Sequence, residues 1–397
     1  MRKNFTRRDF LYASSLGTAG FLAGPSIGKA GIFKSTVNIG LIGVGQRGSG
    51  LLNLLTRVDG AKVTACCDID NSHLQRCKTV VPDAKLYPEY QKLIQDRSVD
   101  AVIIATPLYL HYQIARDAIE AGKHIYVEKT MTYDIDQALK LEALSESRPQ
   151  IIIQVGHQYR YYGMYPKIKK LIADGLIGKV THYECQYNRN SDWRRPVTDP
   201  SMEKQVNWRM YKEFSGGPLA ELSAHQIDIV NWLQDGHPLK AIGMGDVNFW
   251  RDGRTTFDNV RVIYDYEGGV KSSIVSVLSN EYNGYLTRIL GSTGTIEMTR
   301  DRALLFPEKL KKEQMIVDGV TGATKEVLNK GEGIVIFNDT EKTEPTTFAL
   351  RGFVKSVRDG QLPVSNVHTG KETAIAVHMG NAAAESGILQ KWEDRYK

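Results

Sequence analysis

Three side chains of this sequence are of the types that transfer protons in enzymes: Lys129, Glu221 and His225. Glu221 and His225 are four residues apart in the segment 216–233, whose apolar spacing predicts a helix, so both would lie on one helix face. An imidazole exchanges its proton near neutral pH, a neighbouring carboxylate can orient it, and an ammonium group can stabilise a negatively charged oxygen. The residue types therefore indicate acid–base catalysis, with a solvated ion pair on the helix as the alternative.

The elements that must position these groups begin with a glycine-rich turn. An apolar run at 37–42 predicts a buried strand, and Gly43, Gly45 and Gly48 follow it in the pattern G-x-G-x-x-G before a helix-like stretch. Gly43 permits the tight turn, Gly45 lets the backbone approach a pyrophosphate, and Gly48 lets the helix pack closely on the strand. The anion would lie on free N–H groups at the positive end of the helix. The pattern predicts a dinucleotide-binding fold.

An acidic residue follows the second predicted strand, 61–67. Asp68 can accept both hydroxyls of an adenosine ribose and would repel a 2′-phosphate, so NAD is the predicted cofactor and NADP is less favoured. Asp70 is the rival acid, but it falls past the strand end. Gln46 and Arg47 lie in the turn, and Arg47 could reach the pyrophosphate or a 2′-phosphate. A doubly wound domain that binds no nucleotide is the alternative.

Polar residues follow two further predicted strands. Thr106 and Pro107 come after one of them, and Glu128 and Lys129 come after the other. Ligands of open α/β sheets bind beyond the carboxyl ends of strands, so all four are predicted cofactor-binding residues. Glu128 would bind the ribose on the nicotinamide side and leave Lys129 facing the reacting carbon, although a surface ion pair is the alternative. His111 could contact the nucleotide or the substrate, or only cap and pack its helix.

Aromatic residues become frequent after Gly156, and flat rings with polar edges suit the face of a sugar. Arginines and acids among them could bind hydroxyl or acidic groups. The predicted substrate-binding residues are His157, Arg160, Tyr187, Trp208, Arg209 and Asp228. His157 is also a second candidate for acid–base catalysis. Core or interface packing is the alternative for most of the rings.

The chain divides into a leader and two predicted domains. Residues 1–36 contain Arg7 and Arg8 ahead of a mild apolar stretch, which predicts a twin-arginine signal and linker, and a periplasmic location; a disordered basic tail is the alternative. Because that route exports folded proteins and free NAD is scarce outside the inner membrane, the cofactor should be held tightly. Residues 37–155 are predicted as an NAD-binding Rossmann domain with a doubly wound parallel sheet. Residues 156–397 are predicted as a substrate-binding α+β domain with a large, mostly antiparallel open sheet.

Composition excludes several other classes of function. The 397 residues are 42% hydrophobic and 24% charged, which is typical of a globular protein. No basic block with interleaved aromatic residues survives past the leader, so nucleic acid is not a predicted partner. The four cysteines have no zinc-site spacing and nothing fixes three ligands close together, so no metal is predicted. No stable membrane insertion is expected after the signal is cleaved.

Several motifs carry a resemblance to a known family. They are, in chain order, the glycine turn, Cys67-Asp68, Ala105-Thr106-Pro107 and Glu128-Lys129. In this order they resemble the glucose-fructose oxidoreductase/inositol dehydrogenase (Gfo/Idh/MocA) family, and the stretch from Gly216 to Leu233 also fits. The family usually has proline after the lysine, and Thr130 here changes that turn without removing the functional groups. The resemblance implies a second domain whose outer sheet face forms dimers or tetramers.

The resemblance also implies an acid and a histidine beside a substrate carbinol. We therefore predict an NAD-dependent oxidoreductase that acts on a sugar or glycoside hydroxyl by hydride transfer. His225 would take the hydroxyl proton, Lys129 would hydrogen-bond the developing alkoxide or hold the substrate, and Glu221 would orient His225. The alternative is an NAD-dependent glycoside hydrolase that works through transient oxidation at C3 and elimination. A non-catalytic sugar or nucleotide sensor is disfavoured, because all three reactive groups are present.

Overall fold

The computed structural model describes residues 35–308 and 331–396, together with the backbone of 314–317 and 320–324. The predicted twin-arginine signal lies outside the described residues, apart from the end of its linker. None of the described helices combines the length and the apolar character that crossing a membrane requires.

Six short strands form the first sheet. They are β1 (Val37–Ile42), β2 (Ala61–Cys67), β3 (Lys85–Tyr87), β4 (Ala101–Ile104), β5 (His124–Val127) and β6 (Ile153–Val155). The spatial order is β3-β2-β1-β4-β5-β6, and every pairing is parallel. Residues of β4 are buried without alternation because helices cover both faces of the sheet. These helices are α1 (Gln46–Leu55), α2 (Asn71–Val80), α3 (Tyr90–Gln95), α4 (His111–Glu120) and α5 (Ile135–Glu146). The predicted doubly wound parallel sheet is confirmed.

A second sheet of nine strands is built entirely from residues that follow the first sheet. Its strands are β7 (Val180–Tyr187), β8 (Lys240–Asp246), β9 (Asn259–Asp265), β10 (Lys271–Val277), β11 (Tyr285–Gly291), β12 (Gly294–Met298), β13 (Arg302–Pro307), β16 (Ile334–Asn338) and β17 (Gln390–Lys391). The order is β16-β13-β12-β11-β7-β10-β9-β8-β17, and β7 with β10 is its one parallel pairing. β14 (Gln314–Val317) and β15 (Val320–Thr324) form a separate two-stranded ribbon. The predicted mostly antiparallel sheet is confirmed.

Burial alternates along the strands of this sheet, as in β10, because helices cover one face only. The helices of this half are α6 (Met164–Ala173), α7 (Glu203–Val206), α8 (Ala224–Gln234), α9 (Pro345–Asp359) and α10 (Val367–Ser386). On the other face Ile242, Met244 and Ile263 are 44%, 80% and 43% exposed. This apolar surface is the face that the resemblance assigns to oligomer contacts.

The last two helices join the cores of both sheets. Leu350 and Phe353 of α9 are buried in one cluster with Val37 of β1 and Leu55 of α1. α10 packs on α5 of the first half and on α8 and β8 of the second. Helices from beyond residue 155 thus complete the core of the first sheet. The predicted domain boundary at residue 155 stays a prediction.

Candidate active site

The glycine turn connects β1 to α1 with little room to spare. Gly43 has φ +84°, and a Cβ there would lie 2.8 Å from the carbonyl carbon of Ala105. A Cβ at Gly48 would lie 1.9 Å from the carbonyl oxygen of Gly43, whereas one at Gly45 would meet nothing nearer than His73 Cε1 at 3.8 Å. Gly43 and Gly48 are therefore required by packing. Gly45 instead leaves open space at the N-terminus of α1, where a ligand can approach the backbone.

Asp68 is fixed beside this turn at the end of β2. Its Oδ2 accepts a hydrogen bond from the Val44 amide at 2.8 Å, and its Oδ1 accepts one from the Asp70 amide at 2.9 Å. His73 Nδ1 lies 3.2 Å from Oδ2. An ionised carboxylate has about four lone-pair positions, so these contacts orient Asp68 and leave acceptors for the hydroxyls of a ribose.

The two other polar residues of the turn have partners across the molecule. Arg47 Nε donates to Glu128 Oε1 at 2.9 Å, and its Nη2 donates to Thr346 Oγ1 at 3.3 Å. Arg47 therefore extends along the carboxyl edge of the sheet towards Glu128. Gln46 accepts a hydrogen bond from the guanidinium of Arg195, which belongs to the second half of the chain.

A cavity of about 530 Å³ opens beyond the ends of β4 and β5. It brings together predicted cofactor-side, catalytic and substrate-side residues from both halves of the chain. Those that line it are Arg47, Thr106, His111, Glu128, Lys129, Tyr187, Trp208, Arg209, Glu221 and His225. His157, Arg160 and Asp228 do not line the cavity. Pro107 does not line it either, although its neighbours Thr106 and Leu108 do.

Lys129 and His225 face this cavity from different elements. Lys129 follows β5, and its Nζ donates to the carbonyls of Glu221 at 2.6 Å and Ala220 at 3.4 Å. Burial lowers the pKa of Lys129. Burial, with the charge of Lys129, holds the pKa of His225 well below its usual range, and His225 Nδ1 has no hydrogen-bond partner among the described residues. Both side chains line the cavity, where they can hydrogen-bond a bound molecule.

The peptide bond between Lys129 and Thr130 is cis. Thr130 Oγ1 donates to the carbonyl of Ala220 at 3.1 Å, the same carbonyl that Lys129 contacts. Thr130, which stands where the resemblance implies a proline, thus adds a hydrogen bond between the two halves of the chain.

Glu221 and His225 line the same cavity, but the carboxylate of Glu221 hydrogen-bonds a different residue from the one that the helical spacing predicted. A wide π-helical turn, Leu219–Ser223, precedes α8, so the regular spacing of an α-helix does not apply here. The Glu221 carboxylate accepts a hydrogen bond from Arg209 Nε at 2.9 Å, and no hydrogen bond joins it to His225 within the described part of the chain. Arg209 in turn lies 4.2 Å from the ring centre of Trp208. Glu221 therefore fixes Arg209 in the cavity wall.

His157, Arg160 and Asp228 form a buried layer behind His225. Arg160 Nε and Nη2 donate to both carboxylate oxygens of Asp228 at 2.8–3.0 Å, and the two side chains are 3% and 1% exposed. His157 Nδ1 lies 3.9 Å from Asp228, and the His157 ring is perpendicular to the His225 ring at 6.5 Å. Burial lowers the pKa of His157 to about 4. Substrate contact by these three residues stays a prediction, and their geometry supports a positioning role.

His111 joins two strand ends. Its Nδ1 lies 2.9 Å from the carbonyl of Thr130 and its Nε2 lies 3.0 Å from the carbonyl of Thr106. Both ring nitrogens are thereby engaged with the backbone, although the residue lines the cavity. The packing alternative describes this geometry better than contact through a ring nitrogen.

Sequence reasoning missed part of the cavity wall. The additional lining residues include Gln158, Tyr159, Trp193, Arg300, Asp339 and Glu344. Tyr159 and Trp193 belong to the aromatic-rich stretch that pointed to a sugar site, so composition could have found them. Arg300 lies between β12 and β13, in no recognisable motif, and its place depends on the pairing of strands far apart in the chain. The described residues contain no group of three or more potential metal ligands.

Comparisons with known proteins agree with this architecture. Residues 37–157 match the model of the Gfo/Idh/MocA oxidoreductase family's NAD-binding Rossmann fold, and residues 165–297 match the model of that family's C-terminal domain. Among solved structures, levoglucosan dehydrogenase in complex with NADH and levoglucosan has a TM-score of 0.72 at 20% identity, covering 90% of this chain and 99% of that one. Myo-inositol 2-dehydrogenase from Lactobacillus plantarum has a TM-score of 0.70 at 20% identity, with 90% and 100% covered.

The curated relatives match a smaller share of the chain. Scyllo-inositol 2-dehydrogenase (NADP(+)) IolW of Bacillus subtilis is 30% identical over 58% of this chain and 60% of its own length. A glycosyl hydrolase family 109 protein of Shewanella amazonensis is 29% identical over 47% of this chain and 44% of its own. The chain thus spans less than two thirds of either relative. Since the two family models together match well over half of the sequence, the chain belongs to the Gfo/Idh/MocA oxidoreductase family, as its motifs predicted.

Proposed function

We propose that the protein is an NAD-dependent oxidoreductase that oxidises a hydroxyl group of a sugar, polyol or glycoside. The observation that carries the proposal is the meeting of Lys129 and His225 in one cavity with Glu128, which lies on the nucleotide side. The names of relatives support the substrate class, since they include inositol dehydrogenases and, among solved structures, a levoglucosan dehydrogenase.

The residues present fit NAD. The open space at Gly45 suits a pyrophosphate at the start of α1, Asp68 suits the adenosine ribose, and Glu128 suits the second ribose. Thr106 Oγ1 is buried at the carboxyl edge of the sheet without a hydrogen-bond partner among the described residues, so it is free to bind the cofactor. When bound, NAD supplies the hydride acceptor. The carboxylate of Asp68 favours NAD over NADP, although one relative carries NADP in its name.

Lys129 is the better of the two proton acceptors. Its two carbonyl contacts can take the two N–H bonds of a neutral amine, which would leave the nitrogen lone pair for the substrate hydroxyl. Burial lowers the pKa of Lys129 from its high ordinary value, and this favours the neutral form that a proton acceptor needs. His225 has a pKa well below its usual range, so it stays neutral and hydrogen-bonds the substrate. This reverses the order of roles that the sequence suggested.

The test is NADH formation by the purified protein over a panel of sugars, polyols and glycosides. Lys129→Met should lower turnover at least about a hundredfold, the usual scale for losing acid–base catalysis. His225→Asn removes a hydrogen bond to the substrate oxygen and should lower turnover about tenfold. Lys167→Met, on the exposed surface of α6, is the matched control and should keep its activity. The acid limb of the pH–rate profile should disappear in Lys129→Met. Near-normal turnover in that variant would remove Lys129 from the mechanism.

A second candidate is redox-neutral glycoside hydrolysis with transient oxidation at C3, and the relatives named glycosyl hydrolase family 109 proteins favour it. Oxidation at C3 would acidify the C2 hydrogen, and elimination would then release the aglycone. Water would add at C1 with a proton at C2, and the C3 ketone would be reduced again, so that no NADH accumulates. Incubation of glycosides in deuterated water separates the two functions. Free aglycone with deuterium at C2 and no net NADH supports the hydrolase, whereas an accumulating keto-sugar with NADH supports the dehydrogenase.

Location and assembly complete the proposal. A twin-arginine leader would carry the folded protein to the periplasm with its NAD, and Arg195, which contacts Gln46 beside the turn, suits retention of the cofactor. Denaturing the purified protein should then release NAD or NADH.

The exposed apolar strand face around Met244 supports a homo-oligomer, which sedimentation of the mature chain can test.

A further inference from the structure

We propose, on the basis of the proposed function, that the substrate carries an anionic group, a carboxylate of the uronic-acid kind, bound by Arg300 and Arg189 around Tyr187. Arg300 Nη2 donates to the Tyr187 hydroxyl oxygen at 2.8 Å, and Arg189 Nη2 donates to the same oxygen at 3.2 Å. Each guanidinium carbon lies 5.4 Å from the centre of the Tyr187 ring. Two cations therefore converge on one neutral phenol.

Arg300, which lines the cavity, and its neighbour Arg189 differ from the two other arginines of the cavity wall. Arg47 is neutralised by Glu128 and Arg209 by Glu221, each at 2.9 Å. Neither Arg189 nor Arg300 has a carboxylate partner within the described ranges. Two like charges beside one oxygen repel each other unless an anion lies between or across them. The arrangement is the one expected of a binding site whose counter-charge arrives with the ligand.

The hydrogen-bonding capacity of the pair is also mostly unused. A guanidinium has five N–H donors in a planar fork that matches a carboxylate, and the contact with Tyr187 uses one donor of each arginine. Tyr187 accepts both bonds, so its two lone pairs are occupied and its own O–H is left to donate to a ligand. Two forks and a phenol donor together suit an oxyanion better than a neutral hydroxyl.

The carboxylates in the same part of the wall are already engaged. Asp339 accepts from the Tyr162 hydroxyl at 2.8 Å and from the backbone amides of residues 341–343. Glu344 accepts from the hydroxyl of Thr346 at 2.7 Å, and Asp301 from that of Thr299 at 3.2 Å. These groups hold their own loops, and none forms an ion pair with Arg300.

The cluster shares one cavity with the proposed catalytic groups. Tyr187 and Arg300 line the same cavity as Lys129 and His225. The ring centre of Tyr159 lies 5.1 Å from that of His225 and 5.5 Å from that of Tyr285. Arg300 in turn lies over Tyr285 at 5.9 Å. A sugar ring over Tyr159 could thus present a hydroxyl to Lys129 and a carboxylate to Arg300 at once.

The test uses matched ligands in two sugar configurations. Calorimetric binding to the NAD-loaded protein and turnover are measured for glucose, glucuronate and glucose 6-phosphate. The same measurements are made for galactose, galacturonate and galactose 6-phosphate. The wild-type protein should bind the uronate at least about tenfold more tightly than the neutral sugar. Arg300→Gln should remove that advantage, raise KM for the uronate about tenfold with kcat little changed, and leave the neutral sugar within about twofold. Arg57→Gln, on an exposed position just beyond the end of α1, is the arginine control and should change nothing.

Each outcome separates this inference from the proposed function. A preference for the 6-phosphate that depends on Arg300 assigns phosphate as the anionic group and keeps the subsite. Equal binding of neutral and acidic sugars, or an uronate advantage that survives in both Arg300→Gln and Arg189→Gln, overturns the subsite while turnover of neutral sugars keeps the oxidoreductase. If Arg300→Gln loses uronate binding and the wild-type protein turns over none of the sugars, the subsite is kept and the oxidoreductase is overturned. The urea midpoint of each variant should match the wild type, because both arginines are exposed.

Discussion

Asp228→Asn separates a structural role from a substrate-binding role for the buried arginine–aspartate pair. The substitution keeps the size of the side chain and removes its charge, which leaves Arg160 buried opposite a neutral amide. Asp228 is 1% exposed and Arg160 3% exposed, and Asp228 also accepts from Thr373 Oγ1 at 3.2 Å. Water cannot reach either charge to compensate for the change.

The magnitude follows from that burial. Removing one partner of a buried ion pair costs about 3–5 kcal/mol of unfolding free energy, because an uncompensated charge stays behind. An exposed pair contributes about 0–1 kcal/mol. Lys169 and Asp235 form such a pair, with Asp235 78% exposed. Asp235→Asn is therefore the matched control, and it should change stability by less than about 1 kcal/mol.

Urea unfolding at neutral pH measures both variants, and KM for the substrate is measured alongside. Combining Asp228→Asn with Arg160→Gln should cost less than the sum of the two single changes, since the second change removes the unpaired charge. A loss below about 1 kcal/mol for Asp228→Asn, similar to that of Asp235→Asn, would refute the reasoning. A large rise in KM at unchanged stability would instead place Asp228 in contact with substrate.

Three further changes test the nucleotide side and the buried histidine layer. Asp68→Asn should lower the preference for NAD over NADP at least about tenfold in measured Kd values, while Asp70→Asn, on a residue whose side chain is 51% exposed, should not. Gly48→Ala should abolish NAD binding and cost at least about 1–3 kcal/mol in urea unfolding, because its Cβ would lie 1.9 Å from the Gly43 oxygen; normal NAD affinity would contradict the packing argument. The folded-state pKa of His157, about 4, lies below its ordinary value, so the stability it contributes is complete above pH 6.5 and is lost as the pH falls towards 4. The loss is on the order of 3 kcal/mol. Unfolding free energies at pH 7 and pH 4.5 should therefore differ less in His157→Gln than in the wild type, and an unchanged difference would contradict the burial of a neutral imidazole.

Local patterns were sufficient to predict the fold. The run 37–42, the glycine turn and the acid at 68 are all within about thirty residues, and each depends on backbone geometry that a few neighbouring side chains determine. The parallel order of the first sheet and the mostly antiparallel second sheet followed from such runs and from the resemblance. The cavity wall was predicted in large part as well, because strand ends meet at one edge of a parallel sheet.

The partners of charged side chains were harder to predict. Glu221 has Arg209 within reach once the π-helical turn forms, and sequence spacing to His225 cannot reveal that competition. Asp228 pairs with Arg160 behind the cavity, and the position of Asp228 in the sequence cannot reveal that partner. Arg300 was missed altogether, since only the pairing of β12 and β13 brings it to the wall. Each of these choices depends on tertiary contacts between residues distant in the chain.

The last two helices affect how the halves of this protein can be separated. A fragment ending near residue 155 would lack α9, and the apolar surface that Leu350 and Phe353 cover would be exposed to water. Such a fragment should aggregate rather than fold into an autonomous nucleotide-binding module. Nearly the whole polypeptide must therefore be synthesised before the core of the first sheet is complete, and binding of the proposed cofactor would be a late event in biogenesis.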